Sequence, residues 1–128
     1  MKEVWEQYKD TIYEVSNLGR VRSKKIRVKV NPIDKRDYIT TRGGNIRKSY
    51  NKENGYKAVM LKIDDSKRSY LIHRLVAECF LPNPNNYRCV NHKDGDKTNN
   101  KVDNLEWCTH QENMIHAYKN GLIKKRRD

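Results

Sequence analysis

No run of apolar residues in this chain approaches the ~20 needed to cross a bilayer, and its N-terminus lacks a hydrophobic signal core. The expectation is a soluble, cytoplasmic protein with no membrane partner. Cysteine is scarce: Cys79, Cys89 and Cys108 are an odd number without a CxxC pair. That argues against a disulfide framework and against a thiolate zinc site. They read as buried or half-buried free thiols; a zinc site joining Cys89, His92 and Cys108 is the weaker alternative. Negative charge is also short, with 16 Asp and Glu against 28 Lys and Arg, a net charge of +12 and a pI near 9.7. A polyanion is the partner such a balance suits. The excess is local: residues 19–52 hold twelve basic and two acidic residues, so that segment is the expected electrostatic footprint.

A length of 128 residues suits one compact domain, or two small lobes sharing a modest core. Tyr13 to Arg22 reads as a β-hairpin turning at Asn17-Leu18-Gly19. Lys24 to Val30 alternates basic and apolar residues, as a ribbon with one wet, positive face does, and such a ribbon fits a DNA groove. Asn31 to Lys52, broken by Pro32 and Gly43-Gly44, reads as an irregular connection with a short strand near Tyr38 to Thr41. Tyr56 to Ile63 and Arg68 to Ile72 form a second hairpin around Asp64-Asp65-Ser66-Lys67. Ile72, Leu75, Val76, Cys79 and Phe80 then fall at helical spacing, and Pro82 and Pro84 stop that helix. His73, at the change from strand to helix, reads as structural, phosphate-contacting or catalytic.

The informative stretch follows. Arg88 to Asn91 is a strand that presents His92 at its end, Lys93 to Asp103 is a polar loop, and Leu105-Glu106-Trp107 is the returning strand. Thr109 with Glu112 three residues on is a capping box. It opens a helix running through Asn113 and His116 toward Lys119, with Gly121 as its stop. His92, Asn104 and Asn113 therefore sit on successive elements that can converge on one hard cation. Asp94, Asp96 and Asp103 also suggest a calcium loop, but the twelfth position counted from Asp94 is Leu105 rather than the glutamate an EF-hand needs.

These residues resemble the HNH homing-type endonucleases of phages and mobile introns, over most of the chain. Residues 13–23, Tyr-Glu-Val-Ser-Asn-Leu-Gly-Arg-Val-Arg-Ser, look like the NUMOD4-like DNA-binding motif often fused to these nucleases. His73-Arg74-Leu75-Val76-Ala77, Asn83-Pro84, Val90-Asn91-His92-Lys93-Asp94-Gly95, Asn99-Asn100, Asn104-Leu105-Glu106-Trp107 and Glu112-Asn113 look like the nuclease module. The resemblance implies an α+β fold: an N-terminal β-hairpin and ribbon region followed by a ββα-metal, or His-Me finger, module. Residues 1–52 would be the basic DNA-binding region, 53–120 the nuclease module with its core at about 88–119, and 121–128 a basic tail.

The resemblance further implies hydrolysis of a DNA phosphodiester to 5′-phosphate and 3′-hydroxyl ends with a divalent metal, Mg²⁺ first, Mn²⁺ or less readily Zn²⁺. His92 would be the general base, an imidazole being able to accept a proton near neutral pH. Asn104 would hold the loop and orient the histidine by hydrogen bonding, and Asn91 and Asn113 would ligate the metal. Some relatives carry aspartate in place of Asn91, and two neutral amides make a weak cage for Mg²⁺. Asp94, Asp96, Glu112 or His116 are the further candidates for ligation; His116 otherwise reads as structural or phosphate-contacting, and His110 as exposed.

Arg20, Arg22, Lys24, Lys25, Arg27 and Lys29 on the ribbon, with Arg74 on the helix, are the expected DNA contacts, to phosphates or to base edges. Trp107 reads as core behind the site, and Lys124 to Arg127 as a basic clamp or a solvated tail. The leading expectation is a strand nickase or homing-type enzyme, monomeric on double-stranded DNA with a dimer as the alternative, from a phage or bacterial mobile element. A non-cleaving DNA-binding regulator is the rival, and an RNA-binding or structural protein has only the net charge behind it.

Overall fold

The structure of the protein, a computed structural model, describes residues 2–30 and 38–119, and at 26–30 and 38–42 the backbone alone. The chain is α+β. Strands β1 (Trp5–Gln7), β2 (Tyr13–Ser16) and β3 (Val21–Ser23) form an antiparallel sheet in that order. The β2–β3 hairpin is the one the sequence predicts. Tyr13, Val15 and Val21 are buried, while Glu14 and its register partner Arg22 lie on the other face, the period of two that a strand requires. The turn is held by Ser16, whose Oγ accepts from the amides of Leu18 (3.2 Å) and Arg20 (3.1 Å). Gly19 completes it with φ at +87°.

Nothing in the sequence pattern announces β1, because Trp-Glu-Gln is too short and polar to alternate visibly. Side chains fix it instead. Asn17 Oδ1 accepts from the Val4 amide (2.8 Å) and its Nδ2 donates to the Lys2 carbonyl (3.0 Å), tying the leading segment to the turn.

Strands β4 (Ile26–Val30) and β5 (Tyr38–Arg42) pair antiparallel, matching the expected ribbon and short strand; the connection 31–37 lies outside the described residues. Strands β6 (Ser49–Asn51), β7 (Lys57–Ile63) and β8 (Ser66–Leu71) form a third sheet. Part of the stretch read as irregular is thus an edge strand. The β7–β8 turn is tighter than the four residues expected: Asp64 and Asp65, with φ at +52° and +60°, form it alone. Two consecutive left-handed residues make the turn whose twist matches that of a hairpin.

Helix α1 (Ile72–Phe80) buries Ile72, Leu75, Val76 and Ala77, and His73 with them. It ends where Leu81 becomes extended, at φ −108° and ψ 120°. The ring of Pro82 disfavours a helical residue before it, which explains the stop. One contiguous core joins Tyr13, Val15 and Val21 of the first sheet to Val59 and Leu61 of β7, to Leu75 and Val76 of α1, and to Leu105. Among the described residues no helix is long and apolar enough to cross a membrane.

The C-terminal part is strand β9 (Cys89–His92), strand β10 (Leu105–Cys108) paired antiparallel with it, and helix α2 (His110–Lys119) packed against β9. The capping box forms as predicted: the Glu112 amide donates to Thr109 Oγ1 (3.1 Å), and the Thr109 amide lies 3.4 Å from Glu112 Oε1. Gly121 and the basic tail lie outside the described residues.

The β2–β3 turn touches the β9–β10 loop directly. The Val102 amide donates to the Asn17 carbonyl at 2.9 Å, and a Cβ on Gly19 would stand 2.9 Å from the Cβ of Asn100 and 3.0 Å from its carbonyl oxygen. Glycine is required there both for its left-handed φ and for this approach. Gly19→Ala should lower stability by more than ~1 kcal/mol, read as a shifted urea midpoint. An unchanged midpoint would mean that the contact yields freely.

Candidate active site

Successive residues of a strand point to opposite faces, so β9 divides its side chains between two surroundings. His92 and its register partner Leu105 face the core and α1, whereas Asn91 lies opposite Glu106. Both Asn91 and His92 are buried, at 6% and 5% exposure. They nevertheless line one cleft with Asn113 and His116 of α2, Gly95 and Lys97 of the loop, and Tyr56. Three of the expected site residues, His92, Asn91 and Asn113, are thus brought together at this cleft.

The His92 side chain is held by a hydrogen bond and by two neighbouring rings. Its Nε2 lies 2.8 Å from Asn100 Oδ1, an acceptor, so the ring proton belongs on Nε2. Its ring packs at 4.9 Å centroid distance against that of His73, and Tyr56 stacks on His73 at 4.9 Å and on His92 at 5.9 Å. Lys97 Nζ lies 4.9 Å from the Tyr56 ring and donates to the Asn54 carbonyl at 2.9 Å. Burial lowers the pKa of His92, against the opposing effect of the Asn100 bond and the nearby Asp94 and Asp96. His73 is pushed further, to about 3, by burial first and then by His92 and Arg74. Its Nδ1 is buried without a hydrogen-bond partner, which agrees with a neutral ring serving as packing.

Asn104 occupies the loop and not the cleft. Its Nδ2 donates to Asp94 Oδ1 (2.9 Å) and to the Asn99 carbonyl (2.9 Å), and its Oδ1 accepts from the Asp94 amide (3.1 Å). It therefore holds the loop as expected. The hydrogen bond to His92 that the sequence reading gave to Asn104 is made by Asn100, because the loop folds back so that Asn100 and Asn104 face different groups.

Asp94 is likewise committed inward: its oxygens accept from the Asp96 amide, from Asn104 and from Asn99 Nδ2 (2.8 Å). Those bonds, the Asn99 one foremost, hold its carboxyl below the usual range. Asp96 caps Thr98 in the same loop. Neither carboxylate lines the cleft. His116 Nε2 lies 2.9 Å from the Lys93 carbonyl and donates to it, which removes that nitrogen as a metal ligand and ties α2 to the residue after His92.

The imagined zinc trio does not converge, since Cys89 and Cys108 are register partners on one face and His92 lies on the other. Burial raises the Cys108 thiol to about 11, as it does that of Cys79. Among the described residues no group of three or more His, Cys, Asp or Glu could hold a metal. Asn91 and Asn113 bring amide oxygens to the cleft, and the residues fit a cation in one respect. Asn91 Nδ2 donates to Glu106 Oε1 at 2.9 Å, which leaves the amide oxygen as the end available to the cleft.

The expected DNA contacts divide. Arg20 pairs with Glu3, through Nε at 2.8 Å and through a second, shorter bond, and lies over the Trp5 ring. Arg22 donates to Glu14 at 3.0 Å and sits 3.9 Å from the Trp5 centroid. Arg74 donates to the Arg88 carbonyl at 2.6 Å and lies over Trp107. Each of these three guanidinium groups thus has a partner within the chain. Lys24 and Lys25 are exposed, and the side chains of Arg27 and Lys29 lie outside the described residues. Trp107 is packed against the core, its Nε1 donating to the Leu81 carbonyl at 3.1 Å, and His110 is exposed as expected. The groups that sequence reasoning left without a role are Asn100, Tyr56, Lys97 and Glu106. The Asn99-Asn100 and Asn104 to Trp107 motifs contained two of them, but spacing alone does not say which amide meets which ring.

Comparison with known proteins agrees with this geometry. Residues 70–115 match the HNH endonuclease family model and residues 3–62 the NUMOD4 motif. An uncharacterized HNH endonuclease of Acanthamoeba polyphaga mimivirus is 37% identical over 112 residues, 88% of this chain and 28% of its own length. The DNA endonuclease I-HmuI of Bacillus phage SP01 is 30% identical over 87% of this chain and 54% of its own. The chain thus spans about a quarter to a half of these curated relatives. A solved structure, described as DNA binding and cleavage by the HNH homing endonuclease I-HmuI, superposes with a TM-score of 0.71 at 28% identity. It covers 95% of this chain and 62% of its own.

Because His73 is neutral when folded and titrates near 6.5 when unfolded, the unfolded chain binds the extra proton. Stability from this group is complete above about pH 6.5 and is lost as pH falls toward about 3. The slope should reach about 1.4 kcal/mol per pH unit in that window. His73→Leu should flatten the acid side of a stability profile measured by urea unfolding, with the residual slope belonging partly to His92. Equal slopes in both proteins would show that His73 is not kept neutral by the fold.

Proposed function

Since this chain belongs to the HNH endonuclease family, we propose that it is a DNA endonuclease that uses a divalent cation, Mg²⁺ before Mn²⁺, to hydrolyse a phosphodiester of double-stranded DNA. The observation that carries this reading is a buried histidine whose Nε2 proton is held by Asn100, on a cleft that also contains the Asn91 and Asn113 amides.

His92 Nδ1 then bears the lone pair. The lowered pKa keeps the ring neutral near pH 7, so the basic form is the populated one, and Nδ1 removes the proton from the attacking water. The stack of Tyr56, His73 and His92 fixes the plane of the ring, and the Asn104 and Asp94 bonds hold the loop that follows it. Asn91 and Asn113 would hold the cation through their amide oxygens. When bound there, the cation would supply charge neutralisation at a phosphate oxygen and at the departing 3′ oxygen. Lys97 adds a fixed positive charge beside the cleft. The products are 5′-phosphate and 3′-hydroxyl ends.

One such site handles one strand at a time, so the proposed action is nicking by a monomer on DNA. Residues 1–52, with Lys24 and Lys25 exposed on the basic segment, supply the sequence-independent grip on phosphates, residues 53–120 the chemistry, and 121–128 a basic tail. The proposed compartment is the cytoplasm of a bacterial or phage-infected cell. A second reading, DNA binding without cleavage, is favoured only by the absence of a carboxylate at Asn91 and Asn113.

The test is conversion of supercoiled plasmid by the wild type and His92→Ala with Mg²⁺, Mn²⁺ or EDTA. Nicked circles that need metal, and at least a hundredfold loss of rate in the variant with DNA affinity within about twofold, are expected. Linear product as the first species would replace the monomeric nickase with paired sites. Binding without cleavage in either metal would establish the second reading.

A further inference from the structure

An amide oxygen brings no formal charge to a hard divalent cation, so what orients and polarises it bears on how well it binds. The described residues put such a group directly across the β9–β10 pair. Glu106 is the register partner of Asn91, so the two side chains leave the same face of the ladder, and Asn91 Nδ2 reaches Glu106 Oε1 at 2.9 Å. The direction of this bond is not in question. An ionised carboxylate has no proton to give, so turning the amide round would set two acceptors against each other.

We propose that Glu106 is the positioning residue that makes Asn91 a cation ligand. This deepens the nuclease reading and rests on it. The carboxylate does two things. It fixes the amide so that the oxygen, not the NH₂, is presented to the cleft, and it draws the N–H toward itself, which raises electron density on the oxygen. Carboxylates behind histidine ligands of metals act in the same way. The pair Asn91–Glu106 thus places a full negative charge one hydrogen bond behind a neutral ligand. Glu106 is exposed and Asn91 is buried, so the charge keeps its hydration while the amide it holds lies inside. Asp94 and Asp96 are unavailable for this work, being bound within their own loop.

The experiment measures Mn²⁺ binding to the full chain by calorimetry, alongside the Mn²⁺ midpoint for plasmid nicking, in the wild type, Glu106→Gln, Glu106→Ala, and Asn91→Asp combined with Glu106→Gln. Glu106→Gln should weaken Mn²⁺ binding about tenfold or more, while DNA affinity in EDTA and the nicking rate at saturating Mn²⁺ stay near wild type. Glu106→Ala should do likewise. The double variant moves the carboxylate onto the ligand itself and should bind Mn²⁺ at least as tightly as wild type; binding no better than in Glu106→Gln would overturn the proposal by showing that Asn91 is not at a ligand position. Wild-type Mn²⁺ affinity in both single variants overturns the role of Glu106 while leaving the nuclease reading intact. A wild type that neither binds Mn²⁺ nor nicks DNA overturns both.

Discussion

The hydrogen bond from His92 Nε2 to Asn100 Oδ1, 2.8 Å long and buried, is the constraint on which the rest of the site depends. A buried imidazole carries two nitrogens with different tasks, and fixing the proton on one assigns the lone pair to the other. Asn100 can accept that proton only if its own position is fixed. It is, because the bare Cα of Gly19 lets the β2–β3 turn press against it and the Asn17 carbonyl takes the amide of Val102 two residues on. The N-terminal hairpin is therefore a part of the wall behind the histidine, not a separable attachment. Buried polar networks of this kind specify one arrangement because any half-made version leaves a donor or acceptor stranded.

Around that bond the asparagines divide the work. Asn17 staples the leading strand and the distant loop to one turn, Asn104 and Asn99 bind Asp94 within the loop, Asn100 meets the ring, and Asn91 and Asn113 face the cleft. A neutral amide suits each place, since it offers both a donor and an acceptor without the desolvation a buried charge would suffer. The formal charge is kept at the surface. There too it is divided: Arg20, Arg22 and Arg74 are occupied by Glu3, Glu14, the Arg88 carbonyl and two tryptophan rings, whereas Lys24 and Lys25 are exposed. Of the 28 Lys and Arg, these three arginines are already partnered within the chain, their planar guanidinium groups taking the stacking and bidentate roles that lysine cannot fill.

Much of this was legible in the sequence, and the exceptions share a cause. The β2–β3 hairpin, the β9–β10 strands, α1 and the Thr109 capping box follow from periodicity and from local rules that need only neighbouring residues. Spacing placed His92, Asn104 and Asn113 on successive elements and the family resemblance added Asn91; His92, Asn91 and Asn113 line the cleft, whereas Asn104 stays in the loop. What could not be read were choices between distant partners: that Asn100 rather than Asn104 meets His92, that Arg22 lies on Trp5, that His73 turns inward beneath His92, and that Glu106 stands opposite Asn91. Periodicity tells which face a side chain occupies, and only the register across strands tells what it meets. Strand β1 escaped because three residues are too few to show a period.

The most direct measurement is the tautomer of the His92 ring, read from its two ¹⁵N shifts in the labelled protein near pH 8. An Nε2–H ring with a bare Nδ1, changed in Asn100→Ala, is the predicted result. A ring protonated at Nδ1, or one indifferent to Asn100, would contradict the account, because the nitrogen assigned to the water would then carry no lone pair or owe nothing to the loop.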